Sequence, residues 1–254
     1  MTAITSRANP QFQALRQLAT RPSAWREQGR VWLEGEHLVS AALARGVMLE
    51  QLVLADTLDA ATRATFGAQR ELRLAAPLFE ALSSLPSPAH VGAVVALPPA
   101  SAIDPLAPTV VLDRVQDAGN VGSILRSAAA LGWPQVIALK GTAALWSPKV
   151  LRAGMGAHFG LRLIDAAESD VLDALQVPLL ATTPHGGLTL GHDALPHPCA
   201  WVLGHEGQGV APELMARCAH QVRIPQPGGE ESLNVAAAAA ICLFLGGGGD
   251  VGGV

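Results

Sequence analysis

The chain has 254 residues, of which 50% are hydrophobic and 15% are charged, so it can build one large or two modest hydrophobic cores. Its three cysteines are well separated and form no CxxC pair, which argues against a disulfide framework and against a metal site. The apolar run at residues 233–245 is shorter than the ~20 residues of a bilayer span, and the N-terminus lacks a hydrophobic signal segment. We therefore expect a cytoplasmic protein without a membrane partner.

The net charge of −4 argues against a nucleic-acid partner, but the charge is unevenly distributed. Residues 1–30 hold five arginines and one acid, Glu27. Such a basic segment can hold a phosphate backbone, with Arg7, Arg16 and Arg30 as candidate contacts. The same arginines also fit the solvated face of an ordinary helix, and charge alone does not decide between these two interpretations.

Residues 1–96 are predicted to form a small α/β domain. Asn9 and Pro10 indicate the start of a helix, because they suit its N-cap and first-turn positions. Helical spacing then places four apolar residues on one face: Phe12, Leu15, Leu18 and Ala19. Strands are predicted at residues 30–34, 49–55, 71–74 and 91–97, with a second helix around residues 38–43.

A proline-rich linker, residues 97–108, precedes a larger domain predicted at residues 109–246. Continuous apolar runs lie there at residues 109–112, 135–139, 179–181, 200–203 and 221–224, with helical patterns between most of them. Such strands form a mainly parallel sheet that is buried on both faces, and ligands bind at the carboxyl ends of its strands. The glycine-rich tail, residues 247–254, has no core-forming pattern and is predicted to be disordered.

The loop after the strand at residues 109–112 leads into a helix with an apolar face. Asn120 is a candidate N-cap of that helix, and Gly119 and Gly122 allow the backbone to approach a ligand closely. These glycines do not match GxGxxG, so they give little support to a dinucleotide site. Arg126 follows within the helix, where it is either a plain surface arginine or a functional residue.

Two further loops follow later strands. After residues 200–203, three glycines surround Glu206, which is either a hydrogen-bond acceptor for a ligand or a solvated turn carboxylate. After residues 221–224, Ser232 is a candidate N-cap of an apolar helix whose first turn contains Asn234. Helix capping explains the presence of Ser232, but it does not explain why the polar Asn234 stands in the first turn of an apolar helix.

Together the three loops resemble the motifs of the SpoU/TrmH family of RNA methyltransferases, within the SPOUT superfamily. Residues 117–128 read DAGNVGSILRSA, residues 203–210 read LGHEGQGV and residues 224–236 read IPQPGGEESLNVA. The segment SPKVLRAGMGAHF at residues 147–159 is also similar to the family. The first domain resembles, more loosely, the ribosomal-protein-like RNA-binding domain that often precedes this one. His205 departs from the asparagine that is more usual before the glutamate.

The resemblance implies an α/β fold with a C-terminal knotted parallel-sheet SPOUT domain, S-adenosyl-L-methionine as the cofactor, an RNA partner and a homodimer. It also implies methylation of a ribose 2′-hydroxyl, and the ribosomal-protein-like domain favours ribosomal RNA over transfer RNA. The catalytic residues that it implies are Asn120, Arg126, Glu206, Ser232 and Asn234. The implied cofactor-binding residues are Thr182, Leu203, Gly204, Gly207, Gly209, Ile224, Pro225 and Leu233. Arg7, Arg16 and Arg30 are then the expected RNA contacts.

The acceptor of the 2′-hydroxyl proton stays open at the level of the sequence. The family proposal makes Arg126 the general base, but a guanidinium holds its proton too strongly to serve readily as a base. Arg126 can instead grip a phosphate bidentately, while Glu206 or water accepts the proton. Three rival functions fit the residues less well: a nucleotide-dependent α/β enzyme, a non-catalytic RNA-binding module and a methyltransferase that acts on a base nitrogen. The motif that ends in Ser232 and Asn234 favours the ribose hydroxyl.

Overall fold

Two β-sheets organise the protein, and each lies in a separate compact unit. The computed structural model describes residues 3–67, 70–83, 89–228 and 232–246. One unit comprises Met1–Pro99 with Trp146–Phe159, and the other comprises Ala100–Leu145 with Gly160–Val254. The division after Pro99 falls within the predicted linker. The predicted disordered tail, residues 247–254, lies outside the described residues.

The sheet of the first unit has the strand order β1-β4-β2-β3. Its strands are β1 (Arg30–Glu34), β2 (Leu49–Ala55), β3 (Glu71–Leu74) and β4 (Val91–Ala96). The accompanying helices are α1 (Pro10–Thr20), α2 (Ala24–Gln28), α3 (Glu36–Ala44), α4 (Ala60–Ala64) and α5 (Ala76–Glu80). Strand β4 is antiparallel to β1 and β2, whereas β2 and β3 are parallel. The four predicted strands are confirmed, with β4 ending one residue earlier than predicted.

Helix α1 begins where the sequence predicts and for the predicted reason. Oδ1 of Asn9 accepts hydrogen bonds from the backbone N–H groups of Gln11 at 2.9 Å and Phe12 at 3.4 Å. These bonds satisfy donors that have no partner within the helix, and Pro10 has no N–H to satisfy. The predicted apolar face is buried, as the four residues Phe12, Leu15, Leu18 and Ala19 show.

The sheet of the second unit has the strand order β7-β6-β5-β10-β8-β11-β9, and all of its strand pairs are parallel. Its strands are β5 (Thr109–Leu112), β6 (Gln135–Leu139), β7 (Arg162–Ala167), β8 (Leu179–Thr182), β9 (Leu188–Thr189), β10 (Ala200–Leu203) and β11 (His220–Arg223). Its α-helices are α6 (Ala118–Ala130), α8 (Pro212–Met215) and α9 (Val235–Gly246). Strands β5, β6 and β10 are buried along their whole length, which confirms the predicted parallel sheet. The knot stays a prediction of the resemblance.

Two strands of this parallel sheet were not predicted, and both lie at its edges. Strand β7 buries Leu163 between partly exposed neighbours, so it has no continuous apolar run. Strand β9 pairs with β11 and has only two residues, so it is too short to show a periodic pattern. Continuous apolar runs reveal strands that are covered on both faces, and edge strands give a weaker signal.

Helix α7 (Pro148–Gly154) lies in the segment Trp146–Phe159, which groups with the first unit. A Cβ atom added to Gly156 would lie 2.7 Å from the Cβ atom of Ala41 in α3, so the two backbones approach closely. Arg152 of α7 pairs with Glu34 at the end of β1, with 3.6 Å between Nη1 and Oε2. Contacts with residues far away in the sequence therefore decide where this segment belongs.

The apolar C-terminal run forms helix α9, which has 12 residues. The helix buries Ala239, Cys242 and Leu243, and the Leu243 carbonyl accepts a hydrogen bond from Nε1 of the buried Trp133 at 3.0 Å. No helix within the described ranges combines the length and the hydropathy that a bilayer span requires.

We expect Gly92→Ala to destabilise the first unit. A Cβ atom at Gly92 in β4 would lie 2.2 Å from Cη2 of the buried Trp32, so the indole would have to move within a close-packed core. The expected loss is about 1–3 kcal/mol in the free energy of unfolding, measured by urea denaturation. Gly228→Ala is the control, because the added Cβ atom there meets open space. Equal effects of the two substitutions would contradict the packing argument.

Candidate active site

The three loops singled out in the sequence follow β5, β10 and β11 at one edge of the parallel sheet. Because the strands are parallel, their carboxyl ends face the same way and the loops can meet. A cavity of about 620 Å³ opens there, within the range of about 300–1,000 Å³ that is usual for ligand sites. Its wall is formed by the loops after β8, β10 and β11 and by the start of α9.

A chain of side-chain hydrogen bonds, which we call the amide relay, joins the three loops. Nδ2 of Asn120 donates to Oε1 of Glu206 at 3.1 Å, and Nδ2 of Asn234 donates to Oδ1 of Asn120 at 3.0 Å. Oδ1 of Asn234 in turn accepts from the backbone N–H groups of Ala236 at 2.9 Å and Ala237 at 3.2 Å. Three of the five predicted catalytic residues therefore contact one another, although each comes from a different loop.

Glu206 also holds the backbone of the first loop. Its carboxylate accepts hydrogen bonds from the N–H groups of Gln116 at 3.1 Å and Asp117 at 3.0 Å. Partial burial raises the pKa of Glu206, but the hydrogen bonds from Asp117, Gln116 and Asn120 outweigh this effect and hold the pKa below its ordinary value. The carboxylate is therefore a weak base with both oxygens already engaged.

Two predicted helix caps are wrong. Asp117, not Asn120, caps α6, because its Oδ1 accepts from the backbone N–H of Asn120 at 2.8 Å. Asn234, not Ser232, caps α9, as its bonds to the first-turn N–H groups show. With the cap of α6 supplied by Asp117, the side chain of Asn120 is free to join the amide relay.

The second loop is a tight turn that contains two kinds of glycine. A Cβ atom at Gly204 would lie 2.1 Å from the backbone nitrogen of Val210, so no other residue fits. Gly209 has a φ of +69°, in the left-handed region that favours glycine. Gly207 is different, because an added Cβ atom would meet nothing closer than the His205 ring at 3.8 Å.

His205 departs from the usual asparagine, and the structure explains why it is tolerated. Its Nδ1 accepts hydrogen bonds from the backbone N–H groups of Gly207 at 3.0 Å and Gln208 at 3.2 Å. An asparagine Oδ1 commonly accepts the N–H two residues further on, so the imidazole replaces it as the acceptor inside the turn. This role requires an unprotonated Nδ1.

Arg114 was not predicted, yet it ties the first loop to the second. Its Nε lies 3.0 Å from Oδ1 of the buried Asp113, and its Nη1 donates to Oε1 of Gln208 at 3.1 Å. Asp113 also accepts from the backbone N–H of Ala211 at 2.7 Å. The only sequence signal was an acid and an arginine placed directly after a buried strand. Arg114 has a φ of 58°, unusual for a residue with a side chain.

The predicted cofactor residues that lie in the cavity wall are Thr182, Gly204, Gly207, Gly209, Ile224 and Leu233. Neither Leu203, which is fully buried, nor Pro225, which is exposed, is in the described wall. Glu206 and Ser232 are part of the wall. Arg126 is exposed on α6, and its side chain makes no hydrogen bond or ion pair with the described residues.

Comparison with known proteins assigns the chain to a family. Residues 107–244 match the profile of the SpoU rRNA Methylase family, and residues 9–93 match that of the MRM3-like substrate binding domain. The chain belongs to the SpoU rRNA methylase family. Its sequence is 32% identical to an uncharacterized tRNA/rRNA methyltransferase of Synechocystis sp., over 96% of this chain and 93% of that protein.

Two further relatives of this SpoU methylase have more specific descriptions. It is 29% identical to the 23S rRNA (guanosine(2553)-2′-O)-methyltransferase RlmP of Bacillus subtilis, over 84% of this chain and 86% of that protein. The SpoU methyltransferase AviRb from Streptomyces viridochromogenes, solved in complex with the cofactor AdoMet, superposes with a TM-score of 0.83 at 25% identity. That comparison covers 94% of this chain and 98% of AviRb.

The protein is therefore an RNA methyltransferase of a family that uses S-adenosylmethionine, and the cavity fits this cofactor. The wall offers the apolar side chains of Val222, Ile224 and Leu233 beside the bare backbone of Gly204. The cofactor carries no phosphate, which suits loops without a phosphate-binding glycine motif. Within the described ranges, no group of three or more His, Cys, Asp or Glu side chains is placed to hold a metal ion.

The predicted RNA contacts differ in their surroundings. Arg7 and Arg16 are exposed, the latter on α1. Arg30 is also exposed, but its Nε lies 2.6 Å from Oε2 of Glu50, so its charge is already paired.

We expect Glu206→Gln to lower the stability of the folded protein by an amount that depends on pH. The pKa of Glu206 is lower in the folded chain than its unfolded value of about 4.3. Its contribution is therefore complete above the unfolded pKa and is lost as the pH falls through the folded one. The difference in Tm between wild type and variant should be constant above about pH 5 and shrink below about pH 4. Thermal unfolding across this range measures it, and a difference independent of pH would contradict the prediction.

Proposed function

We propose that this SpoU methylase transfers the methyl group of S-adenosylmethionine to a ribose 2′-hydroxyl of ribosomal RNA. The observation that carries the proposal is the amide relay, because it joins the three family motifs through Glu206, which is part of the wall of a cavity that fits the cofactor. The description of RlmP as a 2′-O-methyltransferase of 23S rRNA supports both the ribose and the ribosomal RNA. This substrate agrees with the cytoplasmic location expected from the sequence.

The residues of the chain are assigned to holding and aligning the reactants. S-adenosylmethionine, when bound, supplies an electrophilic methyl group on a sulfonium. Gly204, Ile224 and Leu233 contact it as part of the cavity wall, while the hydrogen bonds of the amide relay fix the positions of the loops relative to one another. Arg126, exposed and without a described partner, is available to grip a phosphate of the RNA with its forked donors. Alignment of this kind lowers the barrier without a change of protonation.

The proposed acceptor of the 2′-hydroxyl proton is water. Both oxygens of Glu206 accept hydrogen bonds, and its lowered pKa makes it a weak base. The delocalised charge of a guanidinium makes it a poor proton acceptor, so Arg126 is not assigned this role. Glu206 is therefore assigned a positioning role, and Arg126 a role in binding.

We further propose that the protein acts as a homodimer and that its first unit binds the RNA. Phe244 and Leu245, at the end of α9, are 59% and 51% exposed, and these apolar side chains suit coverage by a second copy. Arg7 and Arg16 are the proposed phosphate contacts. Arg30 contributes less, because Glu50 already neutralises it.

A methylation assay with labelled S-adenosylmethionine tests the main proposal. Total ribosomal RNA and total transfer RNA are offered separately, and the modified nucleosides are identified by mass spectrometry. We expect a 2′-O-methylated nucleoside in ribosomal RNA. A methyl group found only on a base nitrogen, or only in transfer RNA, would contradict the corresponding half of the proposal.

We expect Arg126→Lys to lose most of this activity. Lysine keeps the charge but cannot make two parallel hydrogen bonds to a phosphate, so the ribose is no longer held in line. The expected loss is roughly 100-fold in kcat/KM for RNA. Arg217→Lys is the matched control, since Arg217 pairs with Asp173 at 2.6 Å and is not part of the cavity wall. Near-wild-type turnover by the Arg126 variant would refute its assigned role.

A further inference from the structure

Gln226 carries an unused hydrogen-bond acceptor in the cavity wall. The residue belongs to the third loop, two positions after Ile224, and it lines the cavity. Its Oε1 atom is buried and receives no hydrogen bond within the described part of the chain. Buried polar atoms in proteins nearly always have a partner, so this acceptor points to a donor on a ligand.

Most other polar side chains of the described wall already make hydrogen bonds, and those of His185 and Ser232, for which none is found among the described residues, are exposed. Oγ1 of Thr182 donates to a strand carbonyl at 3.1 Å, and Oγ1 of Thr183 donates to the loop carbonyl two residues ahead at 3.0 Å. Oε1 of Gln208 accepts from an arginine at 3.1 Å. Nδ1 of His205 and the carboxylate of Glu206 each accept at least two backbone N–H groups. Gln226 therefore supplies the buried acceptor with free capacity.

The surroundings of Gln226 indicate which donor it takes. Val222, Ile224 and Leu233 give the wall an apolar character that suits a flat, neutral heterocycle. A buried neutral amide cannot balance the charge of an ammonium group, which would be costly to take out of water. On the basis of the function proposed above, we infer that Oε1 of Gln226 accepts a hydrogen bond from the exocyclic amine of adenine in the cofactor. Gln226 is thus a residue that determines specificity for the base.

A ligand with hypoxanthine in place of adenine tests this contact directly. Hypoxanthine carries a carbonyl oxygen where adenine carries the amine, so two acceptors would face each other without a proton between them. S-adenosylhomocysteine and S-inosylhomocysteine differ in this base alone. The two bases also differ at N1, which accepts in adenine and donates in hypoxanthine, so the contact is assigned by the change in the ratio of dissociation constants when Gln226 is replaced.

Isothermal titration calorimetry of the full chain measures both ligands. The wild type should bind S-adenosylhomocysteine about 10- to 100-fold more tightly than S-inosylhomocysteine. Gln226→Met, which keeps the length of the side chain without the amide, should bring the ratio close to one. Gln226→Leu is a second variant, so that the failure of one to fold leaves the other, and binding of S-adenosylhomocysteine shows that the variant has folded. Gln176→Leu is the matched control, because Gln176 is exposed and is not in the described cavity wall, and it should keep the wild-type ratio.

Each of the other possible results of this experiment would contradict a different claim. If the wild type binds both ligands equally, or if the Gln226 variants keep the wild-type ratio, the assignment of Gln226 is wrong and the proposed function stands. If Gln176→Leu removes the preference as well, the loss does not depend on the cavity wall, and Gln226 is again not its source. If the wild type binds neither ligand, the cofactor assignment falls together with this inference.

Discussion

Two hydrogen bonds connect three distant segments of the chain. One joins Asn234 to Asn120, which are 114 residues apart, and the other joins Asn120 to Glu206, which are 86 residues apart. Asparagine suits the middle position, because one side-chain amide can donate to a carboxylate and accept from a second amide. An aspartate at position 120 would place two carboxylates against each other. The bonds can form only because a parallel sheet brings the carboxyl ends of β5, β10 and β11 to one edge.

This arrangement bears on the role of Glu206, the acid in the described part of the cavity wall. Glu206 uses its carboxylate to hold two backbone N–H groups of the first loop and the amide of Asn120. A carboxylate stabilised by several donors gives up its charge reluctantly, and so it serves structure better than proton transfer. In the proposed reaction, catalysis depends on alignment of the ribose and the cofactor, which requires loops that do not move relative to one another.

Three contacts hold the second loop in a fixed conformation. His205 closes the turn from inside, Gly204 allows the two sides of the turn to touch, and Arg114 fixes Gln208 from the neighbouring loop. Arg114 adopts a left-handed backbone conformation, whose cost is offset by its bonds to Asp113 and Gln208. The same loop also forms part of the cavity wall, so a single set of contacts orders both the fold and the site.

The sequence alone determined the features that depend on near neighbours. The central strands β5, β6 and β10 show as apolar runs, the start of α1 follows from Asn9 and Pro10, and the three motifs indicate the family. Only the tertiary structure decided the edge strands β7 and β9, because their patterns are short or mixed. It also decided which residue caps α6 and α9, and it placed helix α7 in the first unit. In each of these cases several residues suit the local pattern equally well, and contacts between distant parts of the chain select one of them.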